Sequence, residues 1–179
     1  MSTFTVEGHA RLSGSIAATG NKNEALPAVA AALLSSEAVT LRNFPRIGDL
    51  DKMLAIARHL GADVDDSQDG RVVVQAGNLN DHTLPIELSS TIRGSIIFAS
   101  SLLVRQGKAV VPQPGGDAIG RRRLDTHFRV FEALGARLEI VRPTDADDHG
   151  ITLFSIHAPD GLTGADIFLD EASVTATEN

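Results

Sequence analysis

Apolar and polar positions along this chain fall into blocks that recur in the same order. Ala25-Leu26-Pro27-Ala28-Val29-Ala30-Ala31-Ala32-Leu33-Leu34 is an apolar stretch opened by Lys22, and Ser95-Ile96-Ile97-Phe98-Ala99-Ser100-Ser101-Leu102-Leu103 is one opened by Arg93. Each is preceded by a Ser/Thr/Gly-rich turn and predicts an apolar helix. A β-rich run follows in both cases, Ala38-Val39-Thr40-Leu41 and Ala109-Val110-Val111. After a Gly/Pro-containing loop, a second, amphipathic helix is predicted. In the first copy Leu50, Met53, Leu54, Ala57 and Leu60 form its stripe, with Asp49 as a cap and Gly61 as a stop. In the second copy Phe128, Phe131 and Leu134 face inward, between Asp125 as cap and Gly135 as stop. Both helices end in Leu-Gly-Ala, and strands are expected after them at Arg71–Gln75 and Ile151–Ile156.

Ile16–Ala62 thus parallels Ile86–Ala136 at an offset of about 70 residues. The expected repeat units are about 16–80 and 86–158, with a third starting as a strand at Ala165–Asp170 and a turn at Glu171–Thr175. That third unit, 165–179, is unfinished at Asn179. Repeat units bury their apolar faces against neighbours, so the expectation is a fragment of a longer protein. Strands mixed with two helices per unit give an α/β (α+β) class.

Composition narrows the function classes. The chain has 179 residues, 42% hydrophobic and 22% charged, which is enough for a core and too apolar for disorder. The absence of cysteine removes disulfides, thiolate zinc sites and thiol nucleophiles. Met1–Glu7 lacks the pattern of a secretory signal, and Ser95–Val104 is about half the ~20 residues of a membrane span. A cytoplasmic protein without membrane partners is expected. A pI near 5.3 argues against general nucleic-acid binding.

Charge is uneven within this acidic chain. Between Arg93 and Arg123 there are six basic residues and one acid, Asp117. This island fits either a small anionic ligand or a solvated basic loop. Thr19-Gly20-Asn21-Lys22-Asn23 lies between a predicted strand and a predicted helix, and is either an anion cradle or an ordinary cap with a surface lysine. Pro114-Gly115-Gly116-Asp117-Ala118-Ile119-Gly120-Arg121-Arg122-Arg123 combines permissive glycines with guanidinium forks and one acid. Asp117 either moves a proton at a reacting centre or merely pairs with an arginine. His127 follows closely enough to join this site, or is structural. Asp147-Asp148-His149 has no spaced second ligand set and is rejected as a metal site.

Leu12-Ser13-Gly14-Ser15-Ile16, Thr19-Gly20-Asn21-Lys22-Asn23-Glu24-Ala25-Leu26-Pro27, Thr91-Ile92-Arg93-Gly94-Ser95, Pro114–Gly120 and Glu171-Ala172-Ser173-Val174-Thr175-Ala176-Thr177-Glu178-Asn179 together resemble the UDP-N-acetylglucosamine 1-carboxyvinyltransferase family of enolpyruvyl transferases. The resemblance covers essentially the whole chain. The related shikimate-pathway transferases share fold and chemistry, but their N-terminal lysine motif reads differently. The resemblance implies an inside-out α/β barrel in two domains of three units each, helices inside and sheets outside. Residues 1–20 would be a strand segment of the other, mostly absent domain, and 21–179 most of one barrel domain.

The resemblance also implies a reaction: the enolpyruvyl group of phosphoenolpyruvate moves to the 3'-hydroxyl of UDP-N-acetylglucosamine, with phosphate release through a tetrahedral intermediate and without a cofactor. This opens peptidoglycan precursor synthesis. By motif position, Lys22, Asn23 and Arg122 would bind phosphoenolpyruvate. Arg93, Arg122, Arg123, Leu124, Asp125, Thr126, Glu171, Ala172, Ser173 and Val174 would form the UDP-sugar site. Lys22, Arg122 and Asp117 would be catalytic, Asp117 as proton donor where many members carry the cysteine alkylated by fosfomycin. The family's acid for the sugar hydroxyl and a further arginine would lie in a missing C-terminal half. The alternatives are a non-catalytic nucleotide-sugar-binding paralogue or half-protein, and an enolpyruvyl transferase for another acceptor.

Overall fold

The computed structural model describes residues 3–9, 11–116, 123–142 and 150–179. Two units of like topology make up most of it. The first runs α1 (Lys22–Ala32), β1 (Ala38–Phe44), α2 (Gly48–His59), β2 (Asp63–Gln68) and β3 (Gly70–Gln75). After the short α3 (Ile86–Ser89), the second opens with a 3-10 turn, Arg93–Ile97, continuing into α4 (Phe98–Gln106). It goes on through β4 (Lys108–Pro112), α5 (Asp125–Ala133), β5 (Arg137–Val141) and β6 (Leu153–His157), and α6 (Val174–Glu178) follows.

Both sheets are three-stranded and antiparallel, with orders β1-β3-β2 and β4-β6-β5. In each, the last strand of the unit is central. The repeat is therefore structural as well as sequential. The helices occupy the middle: α1 packs on β1 and β3, α4 packs on β4 and β6, and the two helices meet each other. Their shared core includes Val29, Leu33, Phe98 and Leu102. The α2 stripe of Leu50, Met53, Leu54, Ala57 and Leu60 is fully buried, as its helical spacing requires. Ser101 Oγ donates to the Ala30 carbonyl at 2.6 Å, and Arg105 donates to the Leu33 and Ala76 carbonyls at 2.7 and 2.8 Å. The bond to Leu33 satisfies a backbone acceptor at the end of α1 that the helix itself does not.

Several local expectations change. Residues 3–9 and 11–20 carry no strand, and Phe4, Val6, Leu12 and Ile16 lie exposed. The segment 165–170 is also strandless, and a helix begins at Val174, inside the expected turn. Neither Asp49 nor Asp125 caps its helix: α2 starts at Gly48 and α5 at Asp125 itself, which frees both carboxylates for side-chain partners. No described helix is long and apolar enough to cross a membrane.

Candidate active site

An open cleft forms where the two units and α6 meet. Lys22, Asn23, Leu26 and Asp49 line it from the first unit, Thr91–Gly94 and Gly116 from the second, and Thr175 from α6. Lys22 is the first residue of α1, whose cap Asn21 accepts a hydrogen bond from the Asn23 N–H at 2.7 Å. The helix start adds fixed positive potential to the lysine's own charge. Lys22 Nζ donates to Asp49 Oδ2 at 2.9 Å, with side chains 41% and 37% exposed, so the ammonium is held at the mouth while remaining reachable.

Two glycines bring these pieces close. A Cβ on Gly20 would collide with the Asn43 carbonyl oxygen. Asn43 has φ 53° at the irregularity between Arg42 and Phe44 in β1, and this turns its carbonyl toward the Lys22 loop. A Cβ on Gly115 would collide with the Ser90 carbonyl oxygen, so the start of the glycine-rich loop is seated directly on the turn that leads to Arg93. Gly115→Ala must push backbone against backbone. It is expected to destabilise the protein by about 1–3 kcal/mol, as overpacking does, measured as a lower urea midpoint. An unchanged midpoint would refute this seating.

A charged cluster borders the cleft. Arg93 Nη2 donates to the Arg123 carbonyl at 2.7 Å. The Arg123 guanidinium binds Asp125, Asp170 at 3.4 Å and Glu171 at 3.3 Å, and Arg129 also donates to Asp170 at 2.8 Å. The hydrogen bond from Arg123 holds the Asp125 carboxyl below its usual range, and the same contact raises the arginine.

His127 is 1% exposed beneath this cluster. Asn179 Nδ2 approaches its Nδ1 at 2.8 Å and the Ile96 carbonyl at 3.2 Å. The carbonyl fixes the amide's NH2 on that side, so Nδ1 accepts, and the ring proton sits on Nε2, 3.2 Å from Thr175 Oγ1. Burial first, and Arg93 second, lower its pKa to about 4.

The structure brings Lys22, Asn23 and Arg93 into one cleft, and Arg123, Asp125 and Glu171 into the adjoining cluster. Leu124 packs partly buried on the core, and Thr126 is buried. Both were expected at the sugar surface, but the first turn of α5 directs them inward. Glu171, Ala172, Ser173 and Val174 line a groove with Phe168 and Leu169, and Ser173 caps α6 by accepting from the Ala176 N–H at 3.3 Å. Asp117, Arg121, Arg122 and the rejected 147–149 cluster lie outside the described residues. Among the described residues no group could hold a metal ion. Sequence reasoning missed Asp49 as the partner of Lys22, and Thr175 and Asn179 as partners of His127. The signal for the first was an acid in the first turn of a helix whose neighbour opens on a lysine.

Residues 6–179 match the profile of the EPSP synthase (3-phosphoshikimate 1-carboxyvinyltransferase) family. The chain belongs to this family. Among relatives, the UDP-N-acetylglucosamine 1-carboxyvinyltransferase of Treponema denticola is 47% identical over all of this chain and 39% of its own length. That of Bradyrhizobium diazoefficiens is 47% identical over 98% of this chain and 38% of its own. The chain thus spans about two fifths of the curated relatives' length. The structure of the enolpyruvyl transferase NikO from Streptomyces tendae is 28% identical, covers 87% of this chain and 32% of its own, and superposes with a TM-score of 0.63. EPSP synthase from Acinetobacter baumannii, 14% identical over 92% of this chain and 36% of its own, superposes at 0.65 and supports the fold alone. The enolpyruvyl transferase fold accounts for the repeated units.

Proposed function

We propose that the protein, completed to the length of its relatives, transfers the enolpyruvyl group of phosphoenolpyruvate to the 3'-hydroxyl of UDP-N-acetylglucosamine and releases phosphate. The observation that carries this reading is the cleft joining Lys22, Asn23 and Arg93 across two repeat units. Cations and a helix N-terminus converge there on a space suited to a small polyanion. Relatives named for this activity supply the acceptor.

In this reading Lys22 and the Asn23 side of α1 hold the phosphate, and Arg122 adds a second cation. Arg93, Asp125 and Glu171–Val174 hold the nucleotide sugar. The sugar oxygen attacks C2 of phosphoenolpyruvate while C3 gains a proton, giving a tetrahedral intermediate. Loss of a proton from the new methyl group and of phosphate then leaves the enolpyruvyl ether. Charge develops on groups that already carry phosphate and carboxylate, so positioned cations lower the barrier. Asp117 gives the proton to C3. An ordinary aspartate titrates near ~3.9, so its carboxyl must be desolvated or set beside substrate negative charge to carry that proton.

The test is phosphate release from phosphoenolpyruvate with and without UDP-N-acetylglucosamine, by this chain and by the chain completed with the remaining portion. Sugar-dependent release by the completed protein supports the transferase. Release that instead requires another hydroxylated acceptor transfers the reading to that substrate, and none from a folded, completed protein overturns it.

A second expectation concerns fosfomycin. A carboxylate is a far weaker nucleophile than a thiolate, so the completed protein should keep its activity after incubation with this epoxide. Rapid inactivation with covalent mass added at Asp117 would refute that.

A further inference from the structure

We propose that Arg123 is a positioning residue that assembles the nucleotide-sugar side of the cleft, fastening the Glu171–Asn179 segment to α5 and holding Arg93 in place. The inference rests on the functional reading above for its ligand, but not for its geometry. All three side-chain nitrogens are committed. Nε and Nη2 bind Asp125, Nη2 also reaches Asp170 at 3.4 Å, and Nη1 reaches Glu171 at 3.3 Å. The backbone carbonyl of the same residue receives Arg93 Nη2 at 2.7 Å. One residue therefore joins the turn that opens the second unit, the start of α5, and a segment 47 and 48 residues further on.

The charge arithmetic explains why a cation is needed there. Asp125, Asp170 and Glu171 converge on one spot, and among the described residues Arg129 is the other cation paired with them, through Asp170 alone. Without Arg123, the uncompensated carboxylates would repel one another and any diphosphate entering beside Arg93. Its side chain is 31% exposed and those of the three acids 35–46%, so the cluster is neither fully solvated nor sealed. Such a network is strong enough to order a segment and open enough to respond to salt. The guanidinium was expected to touch the sugar nucleotide. With every nitrogen engaged it acts on the ligand through Asp125, Glu171 and Arg93 instead.

The test compares Arg123→Gln and Arg123→Lys with the unaltered protein, all completed to the relatives' length. For Arg123→Gln, KM for UDP-N-acetylglucosamine should rise about tenfold while kcat and KM for phosphoenolpyruvate stay within about threefold. Raising NaCl should narrow that gap, because screening weakens both the network and the repulsion. Arg123→Lys should restore part of the loss, since it keeps the charge without the fork. Amide hydrogen exchange over 170–179 should quicken in Arg123→Gln, with α2 unchanged. Wild-type KM for the sugar, a fall in kcat alone, or unchanged exchange over 170–179 would overturn the inference. If the unaltered protein shows no sugar-dependent phosphate release, the functional reading fails. The exchange comparison then decides the positioning role by itself, quickened exchange upholding it and unchanged exchange refuting it.

Discussion

Lys22→Gln is expected to lower sugar-dependent phosphate release by the completed protein about 100-fold, roughly 3 kcal/mol of lost interaction with a charged group. Glutamine keeps a donor of similar reach at the start of α1 but removes the charge. What it cannot replace is the ammonium that faces the cleft and is held there by Asp49 at 2.9 Å. That ion pair is substantially exposed, so its loss should change the urea midpoint by the equivalent of less than about 1 kcal/mol. The expected signature is therefore a large kinetic effect on a normally folded protein. If the lysine's contact strengthens as phosphate departs, as the proposed reaction requires, kcat should fall, and kcat/KM for phosphoenolpyruvate should fall at least as much. A variant that turns over within a few-fold of the unaltered protein would remove Lys22 from the reaction.

The elements legible in the sequence are those whose burial is uniform. The apolar blocks at 25–34 and 95–103 give α1 and the helix beginning at the Arg93 turn, and the Leu50–Leu60 stripe gives α2. The missed strands are exposed edges. In β2, five of six residues are polar and only Val64 is buried, so its extended form comes from pairing with β3. In β5, Leu138 is the one half-buried position, and the strand exists because β6 offers it a partner. The local sequence of α6, Val-Thr-Ala-Thr-Glu, is rich in β-branched residues and reads as strand or turn. Its helix depends on the Ser173 cap and on His127.

The site divides the same way. Lys22 was legible because a glycine, a capping asparagine and a helix start lie together in sequence, whereas its partner Asp49 is 27 residues away and meets it only through the packing of α1 on α2. Arg123 was legible as a cation in a basic run, but its partners Asp170 and Glu171 were not. Pattern identifies which residues carry chemistry; tertiary packing decides whether they touch the ligand or each other.

That packing has a consequence for pH. His127 holds α5, the Arg93 turn and α6 together only while its ring is neutral: Nδ1 must accept from Asn179, and an added proton there would set donor against donor. Its folded pKa, about 4, lies below the ordinary value of 6.5, so the unfolded chain binds the proton more readily. The stability contributed by the neutral ring is fully present above pH 6.5 and is lost as pH falls toward 4, up to about 3 kcal/mol. Arg93 and the acids Asp125, Asp170 and Glu171 border this region, and Arg123 holds the Asp125 carboxyl below its usual range. His127→Phe removes the titration together with two hydrogen bonds. Urea midpoints measured from pH 8 down to pH 5 should therefore show the variant less stable than the unaltered protein at pH 8 and the difference shrinking with acid. Parallel curves would mean that His127 does not titrate with unfolding. Hydrogen exchange should place the acid-sensitive opening at 174–179, because α6 and its C-cap Asn179 make both His127 contacts and the helix has little propensity of its own.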